Sequence, residues 1–269
     1  MQSFAEKVIL ITGGSSGIGK ALVQESLNRG ALVATCGRNI KKLRETFPNA
    51  DPKKLLLLEA DVQDEAACAR MVDEIINTWG KIDVLINNAG ISMRALFADS
   101  ELSVLRELMN INFWGTVHCT KYALPALKAS KGVIVGVSSI AGYRGLPGRT
   151  GYCASKFAMQ GFLEALRTEL LHSGTHVMWV SPGFTSSNIR NAARAADGSV
   201  QGETPLDEGG LMSAEECARR MLDAIAKRKR TVIMTGQGKL TVWLNKLFPG
   251  FTDKQVYNHF RKEPGSPLR

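Results

Sequence analysis

No run of apolar residues in this chain approaches the roughly 20 needed to cross a bilayer. The opening MQSFAEK is also too short and too polar to act as a secretory signal before the apolar run Val8-Ile9-Leu10-Ile11 begins. Cysteine is scarce and unpatterned: there are five, at 36, 68, 119, 153 and 217, with no CxxC pair and an odd total. That argues against a disulfide framework and a zinc module, and makes a reducing cytoplasm the expected compartment. Internal repeats, low-complexity tracts and Pro/Ser-rich linkers are missing, as is any recognisable nucleic-acid-binding motif. His172 and His176 stand four apart, yet Gly174 lies between them and no carboxylate or thiol set joins them, so no metal is assigned.

What is present is ordinary globular material, 44% hydrophobic and 22% charged over 269 residues. That composition excludes disorder and collagen-like structure. A domain of this length buries about three quarters of its unfolded surface and needs no staple. The net charge of +9 is unevenly placed. Twelve basic and three acidic residues lie between Ala218 and Arg269, while the preceding 217 residues balance. Such a tail suits an anionic membrane surface, an acidic partner or solubility alone.

Short apolar runs alternate with amphipathic stretches. Lys7–Thr12 precedes Gly17–Arg29, Ala31–Cys36 precedes Lys41–Thr46, and Leu55–Glu59 precedes Glu65–Trp79. Further runs are Val84–Asn87, Gly132–Ser138 and His176–Ser181. Wholly apolar strands separated by helices predict a doubly wound α/β domain, with helices on both faces of a parallel sheet. Ligands of such sheets bind beyond the carboxyl ends of the strands, and the informative residues fall there.

The first strand runs into Thr12-Gly13-Gly14-Ser15-Ser16-Gly17-Ile18-Gly19. Glycines at a strand-to-helix turn let the backbone approach a pyrophosphate, and the helix supplies free N–H groups. The same letters satisfy G-x-S-x-G, with Ser15 as a hydrolase nucleophile and His118, His172 or His176 downstream. Only fourteen residues precede Ser15, too few for the earlier strand that an oxyanion loop requires. After the second strand, Gly37-Arg38 offers a guanidinium where an NAD-binding domain usually has a carboxylate, which favours the 2′-phosphate of NADP(H).

Tyr152 and Lys156 share a helix face at i, i+4. An ammonium nearby, or an oxidised nicotinamide, favours phenolate and brings a phenol toward acid–base use. Upstream, Val133–Val137 ends in Ser138-Ser139, Asp61-Val62 and Asn87-Asn88-Ala89-Gly90 end two other strands, and Asn112 sits in a helical stretch where a buried amide needs partners.

TGGSSGIG, NNAG at 87–90, NxxG at 112–115, Ser139, YxxxK at 152–156 and Pro182-Gly183 resemble, in order and spacing, the short-chain dehydrogenase/reductases. The resemblance covers about residues 5–230, and beyond Gly183 it is similar to the branch of 11β-hydroxysteroid dehydrogenases and related lipid reductases. It implies a Rossmann-type single domain over 1–230 and an oxidoreductase moving hydride between NADP(H) and a ketone, aldehyde or secondary alcohol, with an apolar or lipid-like substrate. By this resemblance Tyr152 is the acid–base, Lys156 lowers its pKa and holds the nicotinamide ribose, Ser139 polarises the substrate oxygen, and Asn112 holds a relay water. Ser138 is the neighbouring candidate for the role of Ser139. Gly13, Ser15, Ser16, Gly17, Ile18 and Gly19 would cradle phosphates, with Asp61 and Val62 at adenine. Asn88, Ala89 and Gly90 would line ribose, while Pro182, Gly183 and Thr185 face the carboxamide, Ser186 and Ser187 leaving that last assignment open. The family also implies a homodimer or homotetramer through the helices around Asn112 and Tyr152. The membrane anchor of many eukaryotic relatives is not found in these 269 residues, so endoplasmic-reticulum placement is not inherited. A non-catalytic dinucleotide sensor on the same fold is the alternative.

Phe184–Met212, with four glycines, occupies the position of a substrate lid, where Phe184, Ile189, Leu206, Leu211 and Met212 are candidate pocket residues. Ser213–Glu216 reads as a capping box, and Lys227–Arg230 complements the dipole at the end of that helix. In the basic extension 231–269, Leu240, Trp243, Leu244, Leu247 and Phe248 make one helical stripe. Thr252–Gln255 reads as a further cap, with Val256, Tyr257 and Phe260 on one side. This element is expected to close the pocket, join subunits or touch membrane peripherally.

Overall fold

The computed structural model describes residues 3–183, 185, 189–202 and 211–268. Among them, seven parallel strands form one sheet: β1 (Val8–Thr12), β2 (Leu32–Gly37), β3 (Leu55–Glu59), β4 (Val84–Asn87), β5 (Val133–Val137), β6 (His176–Ser181) and β7 (Thr231–Ile233). Their spatial order is β3-β2-β1-β4-β5-β6-β7. Helices α1 (Gly17–Asn28), α2 (Ile40–Thr46), α3 (Glu65–Trp79), α4 (Leu102–Met109), α5 (Gly115–Ala129), α6 (Thr150–Glu169) and α7 (Ala214–Ala226) pack with it. After β7 come α8 (Gly236–Leu247) and α9 (Pro249–Arg261).

The period of two in each strand divides the core between the two faces. Val8 and Leu10 belong to the layer of Met71, Ile75, Leu127 and Leu163, whereas Ile9 and Ile11 belong to that of Leu22, Leu43 and Leu222. Each such side chain contributes about 1.5–3 kcal/mol by leaving water, which is why the strands carry no solvent-facing polar face. At the amino end of the sheet, the buried Asp83 carboxylate accepts hydrogen bonds from Lys7 Nζ at 2.8 Å and the Val8 N–H at 2.9 Å, with Lys81 at 3.2 Å. Burial pushes this carboxyl up, but the three donors outweigh it and hold it below the usual carboxylate range.

β1 has β2 on one side and β4 on the other, so successive connections leave it in opposite directions and open a crevice above its carboxyl end. The sequence reading ends the sheet at β6 and assigns 231–269 to an extension; that extension begins with the seventh strand, on the sheet edge beside β6. The Ser213 hydroxyl accepts from the Glu216 N–H at 3.1 Å, capping α7.

One expectation about the tail is corrected. Thr252 does not cap a helix: α9 starts at Pro249, which suits a first helical position, and the Thr252 hydroxyl donates back to the Phe248 carbonyl at 2.9 Å. The stripe on α8, whose direction periodicity leaves open, points largely outward. Leu240, Trp243, Leu247 and Phe248 are exposed, while the inward side presents Gly238 against Ile140 and Asn245 against Tyr143 and Arg144. No helix among the described residues is long and apolar enough to cross a membrane.

Candidate active site

A cleft of about 400 Å³ lies over the carboxyl ends of the strands. At its floor the chain turns through Gly13, with φ of +75°, where a Cβ would sit 3.0 Å from the Ala89 Cα, so a side chain is not accommodated. A Cβ at Gly19 would sit 2.1 Å from the Gly13 carbonyl oxygen. The Thr12 hydroxyl accepts from the N–H groups of Asn88 (3.0 Å) and Ala89 (2.9 Å), and Asn88 Nδ2 returns a bond to the Thr12 carbonyl at 2.9 Å. The first turn and the end of β4 are thereby stapled into one rigid cradle. Ser16 gives α1 no side-chain cap, so the first N–H groups of that helix remain for an anion.

Arg38 and Lys42 line the same cleft beyond β2. Lys42 was not read from the sequence, although it stands four residues after Arg38 on the short α2. Asp61 is held by the Gln63 N–H at 3.0 Å, and the Val62 carbonyl meets His118 Nδ1 at 3.0 Å. Ser15, Ser16, Gly17, Ile18, Asn88, Ala89, Gly90, Pro182, Gly183 and Thr185 all line the cleft as well. A glycine cradle, open helix N–H groups and two cations fit the phosphates of a dinucleotide. His118, His172 and His176 are not among the lining residues, which leaves Ser15 without the base that a hydrolase reading needs.

Ser139, Tyr152 and Lys156 meet at the far wall. Tyr152 and Lys156 project from the first two turns of α6, with the ammonium 5.7 Å from the centre of the phenol ring. Lys156 Nζ donates to the Val137 carbonyl at 2.8 Å, and burial pushes its pKa down to about 8. The sequence reading expects a lowered phenol. In the protein alone burial pushes Tyr152 up to about 12, against the opposing hydrogen bond to Ser139 and the charge of Arg149. The Ser139 hydroxyl also accepts from the Ala141 N–H at 3.2 Å.

Asn112 lies behind this wall rather than on it, in a π-helical turn between α4 and α5. Its amide clamps Ile91, accepting from that N–H at 2.9 Å and donating to that carbonyl at 3.0 Å, and it donates to Ser155 Oγ at 2.9 Å. Ser155 in turn donates to the Tyr152 carbonyl at 2.8 Å, so Asn112 braces the start of α6.

Leu146, Arg149 and Phe260 also line the cleft, with Ala192 and the expected pocket residue Ile189 of the lid; of these, Leu146, Arg149 and Ala192 have no counterpart in the sequence reading. The Arg149 guanidinium lies 4.6 Å over the Phe260 ring and 3.2 Å from the buried Glu263 carboxylate. More than a hundred residues separate these partners, and no spacing rule joins them. Arg194 binds Glu107 of α4 through two bonds of 2.8 and 2.6 Å, which pins part of the lid. Met212 bridges to Thr185, and neither it nor Leu211 lines the cleft. Phe184, Ser186, Ser187 and Leu206 lie outside the described residues.

The family model described as short chain dehydrogenase matches residues 7–198. The chain is 36% identical over 266 residues to dehydrogenase/reductase SDR family member 7B of Rattus norvegicus, covering 95% of this chain and 82% of that protein. It is also 36% identical to 11-beta-hydroxysteroid dehydrogenase-like 4A of Arabidopsis thaliana, over 90% of this chain and 81% of the other. A short chain dehydrogenase from Burkholderia cenocepacia in complex with NADP shares the fold, with a TM-score of 0.80, 24% identity and coverage of 95% and 99%. So does one from Burkholderia phymatum in complex with NAD, with a TM-score of 0.81, 23% identity and coverage of 93% and 96%. With most of its motifs lining one cleft and its sequence matched over most of its length, this chain belongs to the short chain dehydrogenase family of oxidoreductases, whose fold binds a nicotinamide cofactor.

Proposed function

We propose that the protein is an NADP(H)-dependent carbonyl reductase or secondary-alcohol dehydrogenase acting on an apolar or lipid-like substrate. The observation that carries this reading is the meeting of Ser139, Tyr152 and Lys156 on one wall of a cleft whose other end holds Arg38 and Lys42. When bound, the cofactor supplies or accepts the hydride.

The chain's own residues manage the oxygen and its proton. A Tyr152 phenol with a pKa near 12 is protonated at neutral pH and donates to the carbonyl oxygen during reduction, or takes the proton back in oxidation. Ser139, hydrogen-bonded to the phenol, steadies the same oxygen. Lys156 holds a positive charge beside the phenol, and Asn112 keeps the start of α6 in register while serving the proton relay. Gly13, Ser15, Ser16, Gly17, Ile18 and Gly19 would hold the phosphates, Arg38 the 2′-phosphate, Asp61 and Val62 the adenine, Asn88, Ala89 and Gly90 the ribose, and Pro182, Gly183 and Thr185 the carboxamide.

In this proposal residues 1–230 carry the chemistry in the cytoplasm, 184–212 act as the lid, and of the extension 231–269 Phe260 borders the substrate end. Self-association through α5 and α6 belongs to the same proposal, supported by the exposed Trp114 and Phe157 on that side. The test follows NADPH absorbance with a panel of apolar ketones and aldehydes, using Tyr152→Phe as the control. Turnover in the wild type that falls by about 10²–10⁴ in the variant is the expected result. Cofactor binding with no turnover on any carbonyl would favour a sensor instead.

A further inference from the structure

We propose that the outward face of α8, with the corner joining it to α9, is a docking surface for anionic lipid bilayers. Leu240, Trp243, Leu247, Phe248 and Phe251 are each between 50% and 55% exposed and lie within twelve residues of chain. Trp243 and Phe248 touch edge to face, with ring centres 6.5 Å apart, which joins the apolar face of α8 to the corner.

Charge identifies the occupant. From Lys239 to Lys262 the chain carries five Lys or Arg and a single acid, Asp253. That acid is paired with Arg144. Lys239 and Lys246 are exposed and, seven residues apart, run along one edge of the Leu240, Trp243 and Leu247 face, while Lys254 is exposed one turn into α9. A second copy packed antiparallel through the same face would set lysine against lysine, whereas a surface of anionic headgroups neutralises them and accepts the apolar ridge beside them. At about 1.5 Å per residue the twelve residues of α8 cannot span a bilayer, so they lie along its interface.

The mounting is rigid. Gly238 packs on Ile140, and Asn245 bonds the Tyr143 carbonyl at 3.2 Å and the Arg144 guanidinium at 2.9 Å, all on the segment that follows Ser139. Phe260, near the other end of α9, walls the cleft. A docked ridge would therefore hold the substrate end of the cleft in fixed relation to the lipid, a consequence that rests on the apolar-substrate reading. The docking itself does not.

The experiment is sedimentation of the full chain with vesicles of phosphatidylcholine alone or with phosphatidylserine added, at low and high salt. The expected result is binding to the phosphatidylserine vesicles that weakens with salt. It should fall by about tenfold or more in K239E/K246E/K254E and in L240S/W243S/L247S, while both variants keep wild-type turnover of a water-soluble ketone. Failure of the wild type to sediment at low salt overturns the proposal, as does binding unchanged in both variants or equal binding to neutral vesicles. A wild type that ignores vesicles but loses an oligomer in L240S/W243S/L247S assigns the face to a second copy. Vesicle binding is read without substrate or cofactor, so its failure and a failure of the hydride-transfer reading are separate results.

Discussion

Gln160 donates from its side-chain amide to the Ser138 hydroxyl at 2.7 Å, one helical turn beyond Lys156. Two adjacent serines follow β5, and this bond distinguishes them: Ser138 is tied to α6, and Ser139 is left beside the Tyr152 phenol. Ser139→Ala should therefore lower kcat by roughly 10²–10³, the usual loss on removing one donor to a developing oxyanion. Ser138→Ala should keep kcat within about threefold and instead cost about 1–3 kcal/mol in denaturant unfolding, because the buried Gln160 amide loses its acceptor. Equal kcat losses in the two variants would contradict this division.

The buried ammonium should set the pH dependence of the proposed reaction. With Lys156 titrating near 8 and Tyr152 near 12, kcat/KM for reduction should be level through the neutral range and decline as pH rises past about 8, where Lys156 loses its proton. Lys156→Met should lower the neutral value and abolish that decline. A wild-type profile flat to pH 10 would show that the charge on Lys156 is not needed.

Arg38 faces the cleft where an NAD-preferring domain carries a carboxylate. Hydrogen bonds to a charged group contribute about 1.5–3 kcal/mol, so Arg38→Ala should raise the Kd for NADPH by roughly 10-fold to 150-fold. NADH binding should change little. Calorimetric titration of both cofactors checks this, and an unaltered NADPH affinity would remove the basis for NADP preference.

Asp83 is a stability prediction. Its folded pKa is lowered, so its contribution is fully present above the unfolded value near 4 and disappears as pH falls through the folded one. Asp83→Asn should cost about 1–3 kcal/mol at neutral pH by weakening the bonds to Lys7 and Val8. The gap between variant and wild type should close in acid, as urea melts across the pH range would show.

Most strands and helices are legible in the sequence because apolar period and glycine punctuation are local signals. Val84–Asn87 and Glu65–Trp79 coincide with β4 and α3. β7 escaped because Thr231–Ile233 is three half-buried residues on a sheet edge, too short to show alternation. Helical periodicity also locates the stripe of α8 without saying which way it points; the interior took Gly238 and Asn245 instead, for a close approach and for hydrogen bonds. At the site, Tyr152, Lys156 and Ser139 follow from motif spacing. Arg149, Phe260 and Glu263 meet only through the tertiary path of the tail, and the upward shift of the phenol reflects dehydration that no linear pattern records.

The contacts of Arg149 with Phe260 and Glu263 bring the end of α9, and the residues just past it, against the cleft. Partners more than a hundred positions apart therefore share one side of that opening. Loosening of α9 alone would strip Phe260 from it while leaving the sheet intact.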